Sequence, residues 1–166
     1  MSEQLKEVLR SQQRQKDAQN EPARDEDVVQ LVCFMVDDEE FAVPILSIME
    51  IIKPLAATRV PSTPEYVVGV FNLRGNVLPL IDLKRKFNGR KSSYTDETRF
   101  IVIRNKNQRS GFVIDKLTEA IRLKESDIDP APESLDSDDN HIYGVGKRAD
   151  SIITILRIEA LFKRAF

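Results

Sequence analysis

An internal repeat is the sequence feature that most constrains the fold. Segment 69–83 aligns without a gap to segment 144–158, at an offset of 75 residues (144 minus 69). Both segments begin with Gly-Val, and IMEII at 48–52 matches LTEAI at 117–121 upstream of them. Five positions are apolar in both copies: Val77, Leu78, Leu80, Ile81 and Leu83 in the first, Ile152, Ile153, Ile155, Leu156 and Ile158 in the second. The repeat predicts two related half-domains, each too small to bury its own core well.

Short strands separated by turn residues account for most of the chain. Runs rich in Val, Ile and Phe predict strands at 31–36, 41–44, 48–52, 67–72, 77–83, 100–104, 111–114, 117–123 and 151–158. Three short helices are predicted: one capped by Thr63 with Pro64 in its first turn, one capped by Asp82 and ended by Asn88-Gly89, and one over 158–166. This pattern is typical of a mainly β fold made of two fused small barrels, with the cleft between them as the place for a partner. Pro79 inside a strand indicates an edge or a bulge.

The first 27 residues are predicted to be a disordered or partly helical tail ahead of a folded body at 28–166. Their apolar anchors are Leu5, Val8 and Leu9, which is too little to hold a short helix against the body. The chain has 25 basic and 27 acidic residues, of which the tail holds five and seven, so the body carries 20 of each. The body's partner is therefore not selected by net charge.

Cellular location is inferred from three features. The start of the chain lacks the apolar core of a secretory signal, and the longest apolar run, 31–36, is far shorter than the roughly 20 residues that cross a bilayer. The single cysteine, Cys33, lies inside that run and is interpreted as a buried thiol. These features predict a cytosolic protein.

Few residues are available for catalysis or metal binding, because the sequence has one His, one Cys and no Trp. The string 144–149 fits the dinucleotide fingerprint GxGxxA, but a β-branched run follows it where a helix is required, so a hairpin turn is the better interpretation. Asp136, Asp138 and Asn140 have calcium-loop spacing, yet His141 and Lys147 stand where Gly and Glu are needed. A solvated loop is the better interpretation of the acidic stretch 125–139. No enzyme activity, cofactor or metal is expected.

A basic cluster gives an alternative function, a small barrel that binds nucleic acid. Its members are Lys84, Arg85, Lys86, Arg90 and Lys91. Aromatic stacking platforms are lacking, because the body has no Trp, and a neutral body does not favour counterion release. A solvated helix face is the simpler interpretation.

One pair of charges stands out from this background. Glu50 and Glu119 each interrupt an apolar alternation at matching places of the repeat. A carboxylate on an apolar face needs a partner or an opening. Arg74 supplies the partner in the first copy, whereas the second copy has Ala149 at the matching place and Arg148 one residue before it. We expect Glu50 and Arg74 to pair at the mouth of the cleft.

The residues also carry a family resemblance. The runs FAVPILSIMEII (41–52), VPSTPEYVVGVFNLRGNVLPLIDL (60–83) and GFVIDKLTEAIRL (111–123), with DIDPAPE (127–133) behind them, resemble the chemotaxis coupling protein family, CheW. The likeness covers about 28–165 and implies two linked five-stranded β-barrels. It also implies a non-catalytic adaptor that joins the cytoplasmic tips of chemoreceptors, the methyl-accepting chemotaxis proteins, to the regulatory domain of the histidine kinase CheA.

The resemblance further implies which residues make the contacts. A helical hairpin lying in an apolar groove, with one charge pair setting its register, is physically reasonable. The receptor groove would use Ile48, Glu50, Gly69, Asn72, Leu73, Arg74, Val102, Leu117 and Ala120. The loop 128–134 would contact the kinase or other CheW-like proteins in array rings through Ile128, Asp129, Glu133 and Ser134. Asp129 and Ser134 replace the basic and aromatic residues often found there, which implies a contact of different charge.

Overall fold

The computed structural model of the chain describes residues 4–6, 8–9, 27–130, 141–148 and 150–162. Residues 4–6 and 8–9 are helical, and the rest of the described chain is mostly strand. The elements are, in order, β1 (Val28–Val36), β2 (Glu39–Pro44), a 3₁₀ turn (Ile45–Ser47), β3 (Ile48–Ile52), β4 (Val67–Leu73), β5 (Asn76–Asp82), α1 (Leu83–Asn88), β6 (Arg99–Asn105), β7 (Gln108–Ile114), β8 (Lys116–Lys124), a 3₁₀ turn (Glu125–Asp127), β9 (Ile128–Pro130), β10 (Ile142–Arg148), β11 (Ser151–Leu156) and α2 (Ile158–Phe162).

The strands form two sheets, which define two lobes. The middle lobe, residues 45–114, contains a five-stranded sheet in the order β3-β6-β7-β5-β4. The terminal lobe, residues 28–44, 116–130, 141–148 and 150–162, contains a six-stranded sheet in the order β8-β1-β2-β11-β10-β9. The predicted mainly β class with few short helices is confirmed. The described strands nevertheless form two sheets rather than closed barrels, and the short strand β9 gives the terminal lobe a sixth member.

The internal repeat is visible in strand register. β4, β5 and α1 correspond to β10, β11 and α2 at the offset of 75 residues. In the first hairpin the register shifts between the pair Val67–Ile81 and the pair Gly69–Leu80. The second hairpin shifts at the same place, between Ile142–Leu156 and Gly144–Ile155. The two halves therefore share local irregularities as well as sequence.

A second correspondence shows how each lobe is completed. The hairpin β1–β2 matches the hairpin β6–β7 at an offset of 69 residues (103 minus 34). β3 pairs with β6 through Ile48 and Ile103, and β8 pairs with β1 at the matching residues, Leu117 and Phe34. In the middle lobe this hairpin follows α1 directly, whereas the terminal lobe takes it from the start of the chain. Strands from both ends of the sequence thus build one lobe.

Close backbone contact explains why both repeats begin with Gly-Val. Gly69 has φ +153°, and a Cβ atom there would lie 2.1 Å from the carbonyl oxygen of Thr58. At the matching place, a Cβ on Gly144 would lie 2.6 Å from the carbonyl oxygen of Asp129. Thr58 and Val70 exchange two backbone hydrogen bonds of 2.8 Å. Glycine is required at both positions because a neighbouring segment crosses directly over it.

The core has a shared part and a part inside each lobe. The shared cluster joins Phe34, Val43, Ile101, Phe112 and Ile158 with other buried side chains of both sheets. A second cluster fills the middle lobe, and a third fills the terminal lobe. This distribution agrees with half-domains that are stable only as a pair.

The N-terminal segment contributes to the core, contrary to the sequence argument. Leu5 and Leu9 are buried and pack in the terminal-lobe cluster with Val29, Leu31 and Leu123. The sequence argument counted only the few apolar residues of the segment itself. It left out the apolar surface that β1 and β8 already form, against which Leu5 and Leu9 pack. Residues 10–26 lie outside the described residues, so the predicted disorder there stays a prediction.

Substituting Leu9 tests whether this contact stabilises the protein. We expect Leu9→Ala to lower the free energy of unfolding by about 1 to 2 kcal/mol, below the usual cost of a buried leucine because the short segment detaches instead of leaving a cavity. Lys6→Ala, in the same helical segment, is the control and should change it by less than about 0.5 kcal/mol. Denaturant titration gives both values, and equal values would show that the segment is not held by the core.

One predicted helix is confirmed and one is wrong. Asp82 caps α1, since its Oδ1 accepts hydrogen bonds from the backbone N–H groups of Lys84 (3.1 Å) and Arg85 (3.4 Å). Gly89 ends this helix with φ 74°. No helix follows Thr63, whose hydroxyl donates to the carbonyl of Val60 (2.8 Å) instead of accepting from a helix N–H group. For the last predicted helix, 158–162 is helical and 163–166 lies outside the described residues.

Besides shifts of up to three residues at strand ends, the structure differs from the predicted strands and connections in three places. The string read as a hairpin turn at 144–149 belongs largely to strand β10, which pairs with β9 and β11. Part of the stretch read as a solvated loop forms β9. Leu83 and Ile158, which the predictions gave both to a strand end and to a helix start, belong to the helices.

Pro79 lies in an inner strand, not at an edge, since β5 stands between β7 and β4. No register shift falls on it, because the shift in this hairpin lies between Val67 and Gly69. Its cross-strand neighbour Val70 makes its backbone hydrogen bonds to Thr58 instead. The parallel pairing of β5 with β7 begins one residue after Pro79, at Leu80. Neither neighbour therefore needs the N–H group that proline lacks.

Candidate functional site

The turn between β4 and β5 presents Arg74 at the surface of the middle lobe. Arg74 and Gly75 have φ values of 52° and 88°, the two positive values of a type I′ hairpin turn. Asn72 supports the turn, because its Oδ1 accepts a hydrogen bond of 2.8 Å from the backbone N–H of Gly75. The turn therefore holds the start of the arginine side chain in a defined place.

Glu50 is the partner of Arg74, as the sequence predicted. It lies on β3 opposite Val102 of β6, just after a register shift in that strand pair. Nη1 of Arg74 lies 2.5 Å from Oε1 of Glu50. The arginine side chain is 75% exposed and the glutamate 25%. An ion pair this open contributes about 0 to 1 kcal/mol to stability, so its position favours a binding role over a structural one.

An open depression of about 150 Å³ surrounds this pair. Four of the predicted groove residues line it, namely Glu50, Leu73, Arg74 and Val102. Its other lining residues were not predicted and are Met49, Asn76, Leu78 and Arg109. Met49 is a largely exposed apolar side chain, and Arg109 adds a second cation. The depression combines apolar walls with a small set of charges.

The remaining groove residues are not in this lining. Ile48 precedes Glu50 on β3 and packs against the shared core. Gly69 is buried in β4 under Thr58, where it shapes the strand rather than the surface. Leu117 and Ala120 lie on β8 of the terminal lobe, both exposed and paired with β1. That these residues form one groove together with the depression remains a prediction.

The segment predicted to contact array partners is partly described. Ile128 is half-buried in β9 and packs against the terminal-lobe cluster. Asp129 is exposed and lies 3.8 Å from Nζ of Lys147. Glu133 and Ser134 lie outside the described residues. Within the described part, the acidic side chain of Asp129 is therefore balanced locally.

Comparison with known proteins identifies the family. The family model for the CheW-like domain matches residues 30–166. The chain belongs to the CheW family. A chemotaxis protein CheW of Helicobacter pylori is 49% identical over all of both chains. One of Bacillus subtilis is 34% identical over 81% of this chain and 86% of that protein. The crystal structure of the scaffolding protein TtCheW from Thermoanaerobacter tengcongensis superposes with a TM-score of 0.75 at 31% identity, covering 81% of this chain and 92% of that one.

This membership makes the chain a scaffold protein of chemotaxis signalling. The full-length match to the Helicobacter pylori protein includes the N-terminal segment that holds Leu5 and Leu9, whereas the CheW-like domain begins at residue 30. Among the described residues, no helix is long and apolar enough to cross a membrane. A metal-binding group of three or more His, Cys, Asp or Glu side chains is likewise not found in the described part of this CheW chain.

The terminal lobe of this CheW-family chain has its own ion network. Arg148 hydrogen-bonds to the carboxylate of Glu119 and, through Nη2, to Oε1 of Glu40 at 3.0 Å. The hydroxyl of Thr118 donates to the other oxygen of Glu40 at 2.6 Å. The sequence analysis noted Arg148 one residue from the place that matches Arg74 but predicted no pair with Glu119, and it missed Glu40 because that contact joins residues 108 positions apart.

Cys33 lies beneath this network and is not a reactive thiol. Burial raises the pKa of its thiol to about 11, and the carboxylates of Glu40 and Glu119 add to the rise, while the nearby guanidinium of Arg148 lowers the pKa. The interpretation of Cys33 as a small buried hydrophobe is confirmed by its complete burial in the terminal-lobe cluster. A protonated, enclosed thiol is a poor nucleophile.

The raised pKa of Cys33 predicts a pH dependence of stability. The unfolded chain releases this proton near pH 9.0, whereas the folded protein keeps it until about pH 11. Stability is therefore lost as the pH rises through this window. We expect the free energy of unfolding to fall by about 2 kcal/mol more between about pH 8 and pH 10.5 in the natural chain than in Cys33→Ala. Denaturant titrations of both chains measure the difference, and parallel curves would contradict it.

Most cations of the basic cluster contact other side chains of the same chain. Nη2 of Arg85 lies 2.6 Å from Oε2 of Glu65, and Nζ of Lys86 lies 4.0 Å from the centre of the Tyr66 ring. Lys84 lies 3.7 Å from Asp37, and Arg90 also pairs with that carboxylate. Four of the five cations thus contact residues of the chain itself. The side chains of Lys84 and Arg85 are mostly buried in these pairs, which weakens the nucleic-acid alternative, because that function needs cations directed at phosphates.

Proposed function

We propose that the chain is a non-catalytic adaptor that couples chemoreceptors to the histidine kinase CheA. The observation that carries this proposal is the open depression around Glu50 and Arg74, in a chain of the CheW family. Apolar walls with one charge pair suit a helical hairpin, because burial supplies affinity and the charges set register. The same account expects a cytoplasmic protein that is recruited to receptor arrays at the membrane.

The groove is proposed to continue from the depression onto the terminal lobe. Ile48 begins β3 after the 3₁₀ turn Ile45–Ser47, where the chain enters the middle lobe, and Leu117 is the second residue of β8, where the chain returns to the terminal lobe. Both strands therefore start at the junction between the lobes, and β3 then runs into the middle lobe while β8 runs into the terminal lobe. Met49 and Leu117 are exposed apolar side chains on these two strands. A hairpin lying across the junction would cover both.

A second contact is proposed for the region around β9. Ile128, Asp129, Glu133 and Ser134 would touch the regulatory domain of CheA or other CheW-like proteins in array rings. Asp129 and Lys147 form an exposed pair at this place, with both side chains mostly in solvent. Because such a pair costs little to open, either charge is available to a partner.

Binding measurements with purified components test the adaptor proposal. The natural chain should bind a soluble cytoplasmic fragment of a chemoreceptor, bind CheA, and co-sediment with both as one complex. Arg104→Glu should bind like the natural chain, since Arg104 is an exposed arginine of the middle lobe outside the depression. Failure of both binary interactions would overturn the proposal.

A further inference from the structure

The two lobes carry charged groups at matching places of the internal repeat. Glu119 of β8 matches Glu50 of β3, at the offset of 69 residues that relates these strands. Arg109 of β7 matches Glu40 of β2 at the same offset (109 minus 40). Each lobe therefore holds a glutamate on its outer strand and a second charged residue on its hairpin.

The matching groups have opposite net charge. The middle patch, defined as Glu50, Arg74 and Arg109, contains two cations and one anion around the depression. The terminal patch, defined as Glu40, Glu119 and Arg148, contains two anions and one cation in direct contact. The net charges are +1 and −1. A partner that covers both patches meets a positive surface on one lobe and a negative surface on the other.

The terminal patch is built and accessible. Glu40 is held by Arg148 on one carboxylate oxygen and by Thr118 on the other, so its position is fixed. The side chain of Glu119 is 49% exposed. Exposed apolar residues are also present on the terminal lobe: Leu117 is 39% exposed on β8, and Ile152 is 63% exposed on β11. Charged groups together with exposed apolar residues on one lobe are typical of a protein-binding surface.

We propose that the terminal patch is a second contact for the same receptor hairpin and that it takes a basic side chain, while the middle patch takes an acidic one. The inference rests on the proposed receptor binding and adds what orients the partner. A hairpin placed the wrong way round would set like charges against each other on both lobes, which disfavours that orientation. The two patches together therefore select one of the two directions in which a hairpin fits the groove.

Charge reversal in the full chain tests the terminal patch. Glu119→Lys should weaken binding of the soluble receptor fragment by about tenfold at low salt and by less at high salt, because screening reduces the lost attraction. Glu119→Gln, which keeps the shape of the side chain, should weaken it by about threefold. The matched control is Asp127→Lys, which makes the same charge change on an exposed residue of the same lobe and should leave affinity within about twofold.

The outcomes separate this inference from the proposed function. If the natural chain binds and Glu119→Lys binds as well as Asp127→Lys, the terminal patch is not a contact and the inference is overturned while receptor binding stands. If the natural chain does not bind the fragment, both are overturned. A stoichiometry of two hairpins per chain would also overturn the inference, since one partner is required to cover both patches.

Discussion

Gly69→Ala is expected to lower the free energy of unfolding by about 3 to 5 kcal/mol. The new methyl group would lie 2.1 Å from the carbonyl oxygen of Thr58, which is backbone and cannot rotate away. The residue also has φ +153°, which side chains rarely adopt. Strained backbone and overpacking each cost about 1 to 3 kcal/mol, and here both apply. Denaturant titration measures the loss.

Gly89→Ala is the matched control for this change. Gly89 also has a positive φ, 74°, but a Cβ there would meet nothing within 4 Å. Its substitution should cost only about 1 kcal/mol, the price of the backbone conformation alone. Gly144→Ala should cost about 1 to 3 kcal/mol through overpacking alone, because its Cβ would meet the carbonyl oxygen of Asp129 at 2.6 Å without a positive φ. Equal costs at Gly69 and Gly89 would show that the crossing segment moves aside freely.

Arg74→Glu is expected to weaken binding of the chemoreceptor fragment by about 2 kcal/mol, roughly 30-fold. The substitution removes the cation at the rim of the depression and places a second carboxylate beside Glu50. Folding should be nearly unaffected, because the arginine side chain is 75% exposed. Titration calorimetry with the receptor fragment gives the affinity, and thermal unfolding checks the fold.

A charge swap shows whether the pair acts as a unit. The double variant Glu50→Arg with Arg74→Glu restores attraction between the two positions, so it should recover part of the lost affinity. Arg104→Glu provides the control for a change of charge alone. If Arg74→Glu binds like Arg104→Glu, the pair has no part in receptor binding.

The features of the fold that depend on neighbouring residues could be predicted from the sequence. The repeat showed that segments 69–83 and 144–158 are related, and the structure has the same register shift in the two hairpins that contain them. Asp82 and Gly89 marked α1 because capping depends on neighbouring residues alone. Strand β10 was missed because its glycines resemble those of a turn. Glycine is needed there because a neighbouring segment lies against the strand, and the sequence does not show where that segment lies.

Long-range pairing limited what could be said of the site. Glu50 and Arg74 were paired correctly because a charge in an apolar alternation is a local signal and the hairpin turn is short. Arg109 reaches the depression only through the parallel pairing of β5 with β7, which no local pattern announces. Glu40 of β2 meets Arg148 of β10 because β11 lies between these two strands and pairs with both. Both residues became visible once the sheet order was known.

Kinase activity in a reconstituted signalling complex tests the adaptor role most directly. Autophosphorylation of CheA is measured with membranes that contain chemoreceptors, in the presence and absence of the chain. The adaptor account predicts that the natural chain raises kinase activity, that receptor ligand then controls it, and that Arg74→Glu loses both effects while Arg104→Glu keeps them. Kinase activity that is the same with and without the chain, at concentrations where receptor and kinase are saturated with it, would contradict the account.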